Sequence, residues 1–330
     1  ILFSRNEPVS IVHFLTNRCN ARCSFCFIDF DNKDTFKGEL TLDEIEQLTK
    51  TFGKSLLNVN FTGGEPFARK DITEIAKKYI DNTTIQSIYV TTNGSLPERA
   101  ENFAKEITSY DSNMELTFQI SIDDMPERHD EVRKIKGLFK NCIETYKKLK
   151  KINNVSPVVS ITVTQENCDN IEKIFNFLHY DSKIESIKCT LVRDEGVYKT
   201  PLDKKNKILE AYNWLTNTIE KLSNNKSLIN YNSESLQGRL HRKKDYISWK
   251  MIKEMYITPK YISMCYAGKL FGIIAANGSV YPCEILENKK LGELRNNDMN
   301  FLKMWNSNEN KEITKFIKDT KCNCTYECAL

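Results

Sequence analysis

Apolar positions along the first two thirds of the chain follow two alternating rhythms. β-branched and aromatic runs of strand length occur at Val9–Phe14, Leu57–Phe61, Ser87–Thr91, Leu116–Ile122, Val158–Val163 and Ser186–Val192. Between them apolar residues recur at helical spacing: Leu42, Ile45, Leu48 and Phe52; Ile72, Ile75, Ala76 and Tyr79; Phe103, Ala104 and Ile107; Leu138, Cys142, Ile143, Tyr146 and Leu149; Ile171, Ile174, Phe175 and Leu178. Thr41, with Glu44 three residues on, reads as a capping box opening the first helix. Strands that each lead into a helix predict a parallel sheet of right-handed βαβ units. The alternation ends near residue 195, short of the roughly 250 residues that a complete eight-stranded barrel takes. The expected fold class is therefore α/β, a partial (β/α)6 TIM-like barrel, with its site at the C-terminal ends of the strands.

The pattern then changes. Leu202–Leu222 predicts a long helix containing Trp214, whereas 223–260 is polar and basic and resists assignment. From Tyr261 the chain reads as short strands and turns, with Asn277-Gly278 as a hairpin turn, followed by a helix near 298–319. Three parts are expected: the barrel at 1–195, a helical connection at 196–260 and a small cysteine-bearing domain at 261–330. An apolar fraction of 40% supports a sizeable core and rules out disorder as the main state. No run nears the roughly 18 apolar residues of a membrane span, so no membrane partner is expected. Lys and Arg number 48 against 44 Asp and Glu, a balance that gives no general attraction to nucleic acid. The chain opens on Ile1 rather than methionine, so a native start or a removed targeting segment ahead of it stays open. Its 11 cysteines are clustered at 19–26 and 322–328, in a chain too long for a disulfide-stapled mini-protein. Tight clusters point to metal ligation in a reducing, cytoplasmic compartment.

The first cluster, Cys19-Asn-Ala-Arg-Cys23-Ser-Phe-Cys26, follows the first predicted strand directly. A structural zinc site needs a fourth protein ligand, and none is nearby. A [4Fe–4S] cluster held by three thiolates leaves one iron open for a substrate or cofactor. The Cx3Cx2C spacing, with Phe25 before the third cysteine, resembles the signature of the radical S-adenosylmethionine (SAM) enzymes. That resemblance implies SAM chelated at the open iron, and its one-electron cleavage to methionine and a 5′-deoxyadenosyl radical that abstracts hydrogen from substrate. Thr62-Gly63-Gly64-Glu65-Pro66 is similar to the family's GGEP element: Gly63 and Gly64 would let backbone approach the ligand, and Glu65 would accept from the SAM ammonium. Thr91-Thr92-Asn93-Gly94 resembles the TNG turn near the methionine end of SAM. Ser121-Ile-Asp-Asp, His129-Asp130, Arg133 and Gly137 resemble a further family stretch, although Asp124 stands where glycine is usual. The resemblance implies Ser121 at the ribose, Arg133 at the carboxylate and Leu191 or Val192 beside adenine, with a plain core role equally open for the last two. His129 and Asp130 read as loop-structuring.

In the second region, Cys265 is followed by Gly278 and then by Cys283, a spacing that resembles the start of the auxiliary-cluster domain called SPASM, or its shorter twitch form. The remaining ligands would return from Cys322, Cys324 and Cys328. The full pattern has more cysteines, so the resemblance implies one auxiliary [4Fe–4S] cluster, held by Cys265, Cys283 and Cys328 with either Cys322 or Cys324. A structural zinc site stays open on ligand count. Cys142, Cys168 and Cys189 stand singly and read as core thiols. Arg193, Asp194, Glu195 and Tyr198, after the sixth strand, are candidates for substrate contact or for supplying a proton or hydrogen atom.

The family resemblance implies an enzyme performing a net oxidative modification, fed by a reductase, flavodoxin or ferredoxin. Maturation of a ribosomally made peptide or of a protein is the leading expectation. Dehydrogenation or epimerisation of a sugar, aminocyclitol or nucleotide-linked sugar is the alternative, weighed up by the shortened auxiliary region and by the 18 residues ahead of Cys19, too few for a leader-binding domain. A non-catalytic iron–sulfur binding protein is the third.

Overall fold

The computed structural model describes residues 6–194, 196–229 and 236–326. Six parallel strands run in sequence order, each beside the next: β1 (Ser10–Thr16), β2 (Asn58–Gly63), β3 (Ser87–Thr92), β4 (Glu115–Ser121), β5 (Val155–Val163) and β6 (Ile187–Leu191). The crossovers are α1 (Leu42–Thr49), α2 (Ile72–Asn82), α3 (Pro97–Tyr110), α4 (Pro126–Arg133) with α5 (Leu138–Leu149), and α6 (Ile171–Asn176), which winds on to Asp181 as a π-helical turn. The expected parallel α/β sheet is therefore present.

The strands sort their side chains by face, because successive residues point to opposite sides. Val59 and Phe61 of β2, Ile88 and Val90 of β3 and Phe118 of β4 are fully buried with Ile45, Leu48, Ile75 and Phe103 of the helices. Thr41 caps α1 in the expected box: its hydroxyl accepts from Glu44 N while Glu44 accepts from Thr41 N. Helix α4 has no apolar stripe and buries only His129 and Arg133, which is why periodicity did not announce it.

The segment left unassigned holds α8 (Leu236–Ile257), packed against α7 (Lys205–Asn224). The C-terminal region does not form a separate sheet. Strand β7 (Phe271–Ile274) adds in parallel to the free side of β1, and β8 (Ser279–Tyr281) and β9 (Gly292–Glu293) follow antiparallel, giving one nine-stranded sheet. The β7–β8 hairpin turns at Asn277-Gly278, where Gly278 has φ +88°. The helix expected near 298–319 is two, α9 (Phe301–Trp305) and α10 (Asn308–Asp319). They break at Asn306-Ser307, where the Ser307 hydroxyl accepts from Asn310 N and caps the second.

Candidate active site

The three clustered cysteines lie on the loop leaving β1, and neighbouring backbone fixes that loop from both sides. Gly64 N donates to Thr16 O at 2.7 Å and Glu65 N to Arg18 O at 2.8 Å. A Cβ on Gly63 would lie 2.1 Å from Thr16 O, and one on Gly64 2.3 Å from Arg18 O. On the far side, a Cβ on Gly196 would lie 2.2 Å from Phe27 O. The glycine pair was expected to admit a ligand. Both residues do line the cavity, but the close approach that excludes a side chain is made by the cysteine loop itself.

Cys19, Cys23 and Cys26 line a cavity of about 300 Å³ at the C-terminal ends of the strands. Its walls also carry Phe25, Asn93, Ser121, Arg133 and Leu191. Asn93 Nδ2 donates to Cys19 Sγ at 3.6 Å and to Asn20 Oδ1 at 2.8 Å. The Arg133 guanidinium sits 5.7 Å from the Phe25 ring centre and grips Asp123 Oδ2 through Nε at 2.9 Å and Nη2 at 2.6 Å, both residues being buried. Burial pushes all three thiols up, Cys19 to about 11, so they are protonated until a metal takes the proton's place. Among the described residues no three Cys, His, Asp or Glu side chains converge on a single-ion sphere. One zinc ion would draw its sulfurs to within about 4 Å of one another. Thiols spread around one cavity wall, with an amide donor at Cys19 and a guanidinium near Cys23, are the donor set a multi-iron cluster fits.

Glu65, expected at the cofactor ammonium, is enclosed: Oε1 accepts from Phe67 N (3.1 Å) and Thr92 Oγ1 (2.8 Å), and Oε2 from Asn93 N (2.7 Å). The carboxylate ties the β2 loop to the β3 loop and thereby places Asn93. His129 and Asp130 hold backbone as expected: His129 Nδ1 accepts from Asp123 N, and Asp130 accepts from Gly137 N and Phe139 N.

Of the four candidates after β6, Arg193 faces the cavity. Asp194 turns away, accepting from Thr200 N at 2.7 Å and pairing with Lys205 at 3.2 Å. Tyr198 is buried outside the cavity, and Glu195 lies outside the described residues. Arg193 Nη1 donates to Glu284 Oε2 at 2.6 Å, Tyr326 Oη donates to Glu284 Oε1 at 2.6 Å, and the guanidinium lies 4.9 Å from the Tyr326 ring centre. Sequence reasoning missed Glu284 and Tyr326. The available signal was their position beside Cys283 and beyond Cys324. This bridge makes the C-terminal segment one wall of the cavity.

In the second region Cys283 feels the charge of Cys265 and Cys324, and Cys322 that of Cys265. Cys328 lies outside the described residues. Burial pushes Cys283 up to about 12, and Cys265 Sγ accepts from Ala267 N at 3.5 Å. Cys142, Cys168 and Cys189 are buried in the core, Cys142 donating its thiol to Asn93 O at 3.1 Å. A shallower groove of about 510 Å³ between Met125 and Asp181 carries none of the clustered cysteines. No helix among the described residues is long and apolar enough to cross a membrane.

The profile of the Radical SAM superfamily matches residues 14–178, and that of the SPASM iron–sulfur cluster-binding domain matches residues 265–329. The chain belongs to the radical SAM superfamily and carries a C-terminal SPASM domain. It is an enzyme whose cofactors are S-adenosylmethionine and [4Fe–4S] clusters. It is 31% identical over 168 residues to the sporulation killing factor maturation protein SkfB of Bacillus subtilis (strain 168), covering 51% of this chain and 38% of SkfB. The match thus spans well under half the length of that relative. Among solved structures, anSMEcpe with bound AdoMet is similar with a TM-score of 0.67 at 18% identity, covering 96% of this chain and 83% of that one. Streptococcus suis SuiB bound to its precursor peptide SuiA is similar with a TM-score of 0.63 at 16% identity, covering 94% of this chain and 67% of that one. The last two are likenesses of fold.

Proposed function

We propose that this enzyme carries out a net oxidative modification of a ribosomally made peptide or of a protein. The observation that supports the reading is the cavity wall shared by the barrel loops and the SPASM segment through Arg193, Glu284 and Tyr326, beside Cys19, Cys23 and Cys26. The maturation role in SkfB's name and the peptide bound in SuiB support it. In this reading Cys19, Cys23 and Cys26 hold the first cluster, and Cys265, Cys283 and Cys328, with either Cys322 or Cys324, hold the second. When bound, the cluster and SAM would supply one-electron chemistry for hydrogen abstraction from substrate.

The chain's own residues bind and orient. Gly63 and Gly64 fix the cysteine loop, and Asn93 donates to the Cys19 sulfur. Ser121 and Leu191 offer a hydroxyl and an apolar surface along the strand ends for the nucleoside. Arg133, with Asp123 holding one edge of its guanidinium, presents positive charge for the cofactor carboxylate. Phe25 and Phe27 give the cavity an apolar lining beside the thiols. A reductase, flavodoxin or ferredoxin supplies the electron, and a reducing, cytoplasmic setting suits the exposed cluster chemistry.

The test is an anaerobic incubation of reconstituted protein with SAM, reductant and fractionated extract from its source cells. Loss of two hydrogens from a peptide or protein, read by mass spectrometry, is the expected result. The same loss confined to the small-molecule fraction would replace the peptide reading with the sugar or cyclitol one.

A further inference from the structure

The inner face of the sheet has an unusual composition. A closed parallel barrel fills its interior with branched aliphatic side chains. Here the inward positions are Asn60 on β2, Tyr89 on β3, Gln119 on β4, Ser160 and Thr162 on β5, and Lys188 and Thr190 on β6. The apolar neighbours of each face the helices. Asn60 and Tyr89 are directly opposed in the parallel register. Tyr89 Oη donates to Gln119 Oε1 at 3.0 Å, which commits that oxygen and leaves the Gln119 amide donors without a partner among the described residues. Ser160 and Thr190 bond each other at 3.2 Å. Asn60 Oδ1 is enclosed and has no hydrogen-bond partner among the described residues. Asn60 and Gln119 both line the cavity that holds the three thiols. Beside Asn60, on the neighbouring β1, stand its register partner Val12 and Phe14, which with Ile273 form a small apolar cluster of their own.

A buried acceptor with no donor is costly to a protein, and native structures rarely leave one unexplained. The floor thus offers an unsatisfied acceptor on β2 and, two strands away on β4, amide donors on a side chain that Tyr89 holds in place. Only a group carrying both a donor and an acceptor answers it. We propose that this floor receives the side chain of the residue to be modified, and that Asn60 and Gln119 select an uncharged amide or hydroxyl side chain over an aliphatic one. The proposal rests on the peptide reading, but its chemistry is stated by the floor alone. Asn60 and Gln119 are in this view specificity-determining residues. An aliphatic side chain would leave the enclosed Asn60 acceptor unpaired, a penalty on the order of tenfold in affinity.

The experiment uses anaerobically reconstituted, SAM-loaded protein and two sets of probes. The first is acetyl-Gly-Gly-Xaa-Gly-Gly amides with Gln, Asn, Ser or Leu at Xaa. The second is acetamide, observed by saturation-transfer NMR. The expected result is at least tenfold tighter binding of the Gln, Asn or Ser peptides than of the Leu peptide, with the preference erased in Asn60→Leu. Gln119→Met is a second variant, so that one poorly folding protein does not decide the matter, and Asn60→Asp, which keeps the acceptor, should retain most of the preference. Binding of acetamide that depends on Asn60 while every peptide fails would support the floor and count against a peptide substrate. A Leu peptide that binds as well as the Gln peptide overturns the proposal. So does acetamide binding that Asn60→Leu leaves unchanged, or the absence of binding by both probe sets.

Discussion

A methyl group placed on Gly64 would have its carbon 2.3 Å from Arg18 O, 2.6 Å from Arg18 C and 2.7 Å from Asn17 O, and every one of these atoms is backbone. No side chain can swing aside to make room, so in Gly64→Ala the cysteine loop itself must withdraw by about 1 Å to reach ordinary contact distance. That movement breaks the bonds from Gly64 N to Thr16 O and from Glu65 N to Arg18 O. Each is worth about 1 kcal/mol net, and up to ~3 kcal/mol where the freed group stays buried, so the variant should lose about 2–4 kcal/mol. Over 330 residues the unfolding entropy is about 0.7 kcal/mol/K, so the melting temperature of the apoprotein should fall by roughly 3–6 °C. Cys19 directly follows Arg18, so iron bound after reconstitution should fall as well. Gly137→Ala is the control. Gly137 has φ +78° but nothing within 4 Å of the new atom, so only a backbone cost of about 1 kcal/mol applies and iron content should hold. Circular dichroism and iron analysis read both variants. A Gly64→Ala protein that melts within 1 °C of the wild type and binds full iron would refute the claim that the glycine pair exists to seat the cysteine loop.

Three further outcomes follow from the same geometry. Asp123→Asn strands the buried Arg133 guanidinium, which should cost about 3–5 kcal/mol; a loss below ~1 kcal/mol in urea denaturation would mean that Arg133 finds another anion. His129 is buried and neutral, and desolvation, with Arg133's charge second, lowers its pKa from 6.5 to about 4. The unfolded chain therefore takes up a proton below pH 6.5 that the folded one refuses until about pH 4, and stability should fall through that window by up to ~1.4 kcal/mol per pH unit. His129→Asn, which keeps an acceptor for Asp123 N, should flatten that slope, and an unchanged slope would contradict a neutral buried imidazole. Finally, Arg193→Ala and Glu284→Gln should couple by at least ~1 kcal/mol in a double-mutant cycle, because the two side chains form a direct ion pair at 2.6 Å; additive effects would remove the bridge between barrel and SPASM segment.

What could be seen in advance and what could not divides along the range of the interaction. The six parallel strands and the α1 capping box are local patterns, and a period of two or a Thr-to-Glu spacing shows them. Helix α8 was hidden because its apolar stripe is blurred: polar Asp245 and Ser248 are buried beside Trp249 and Ile252, while apolar Leu240 and Ile247 are exposed. The pairing of β7 with β1 joins residues some 260 positions apart, and a four-residue strand carries no mark of its partner. The same applies at the site. The cysteines, the glycine pair, Asn93 and Arg133 were legible as motif residues, and the cavity gathers them. The role of Glu65 was not: the motif marks its place in the chain, whereas its direction depends on Thr92 and Asn93 offering hydrogen bonds from the next strand. Glu284 and Tyr326 carry no motif and are meaningful only once Arg193 is seen to reach them.

The measurement that bears most directly on the account is 5′-deoxyadenosine formation from SAM by the anaerobically reconstituted full chain with a strong reductant, beside a variant with Cys19, Cys23 and Cys26 all changed to Ala. Formation in the wild type and its loss in the triple variant, with the SPASM-region iron retained, is the predicted result. Equal formation by both proteins, or none by a wild type carrying its full complement of iron, would contradict the assignment of those three cysteines to the reactive cluster.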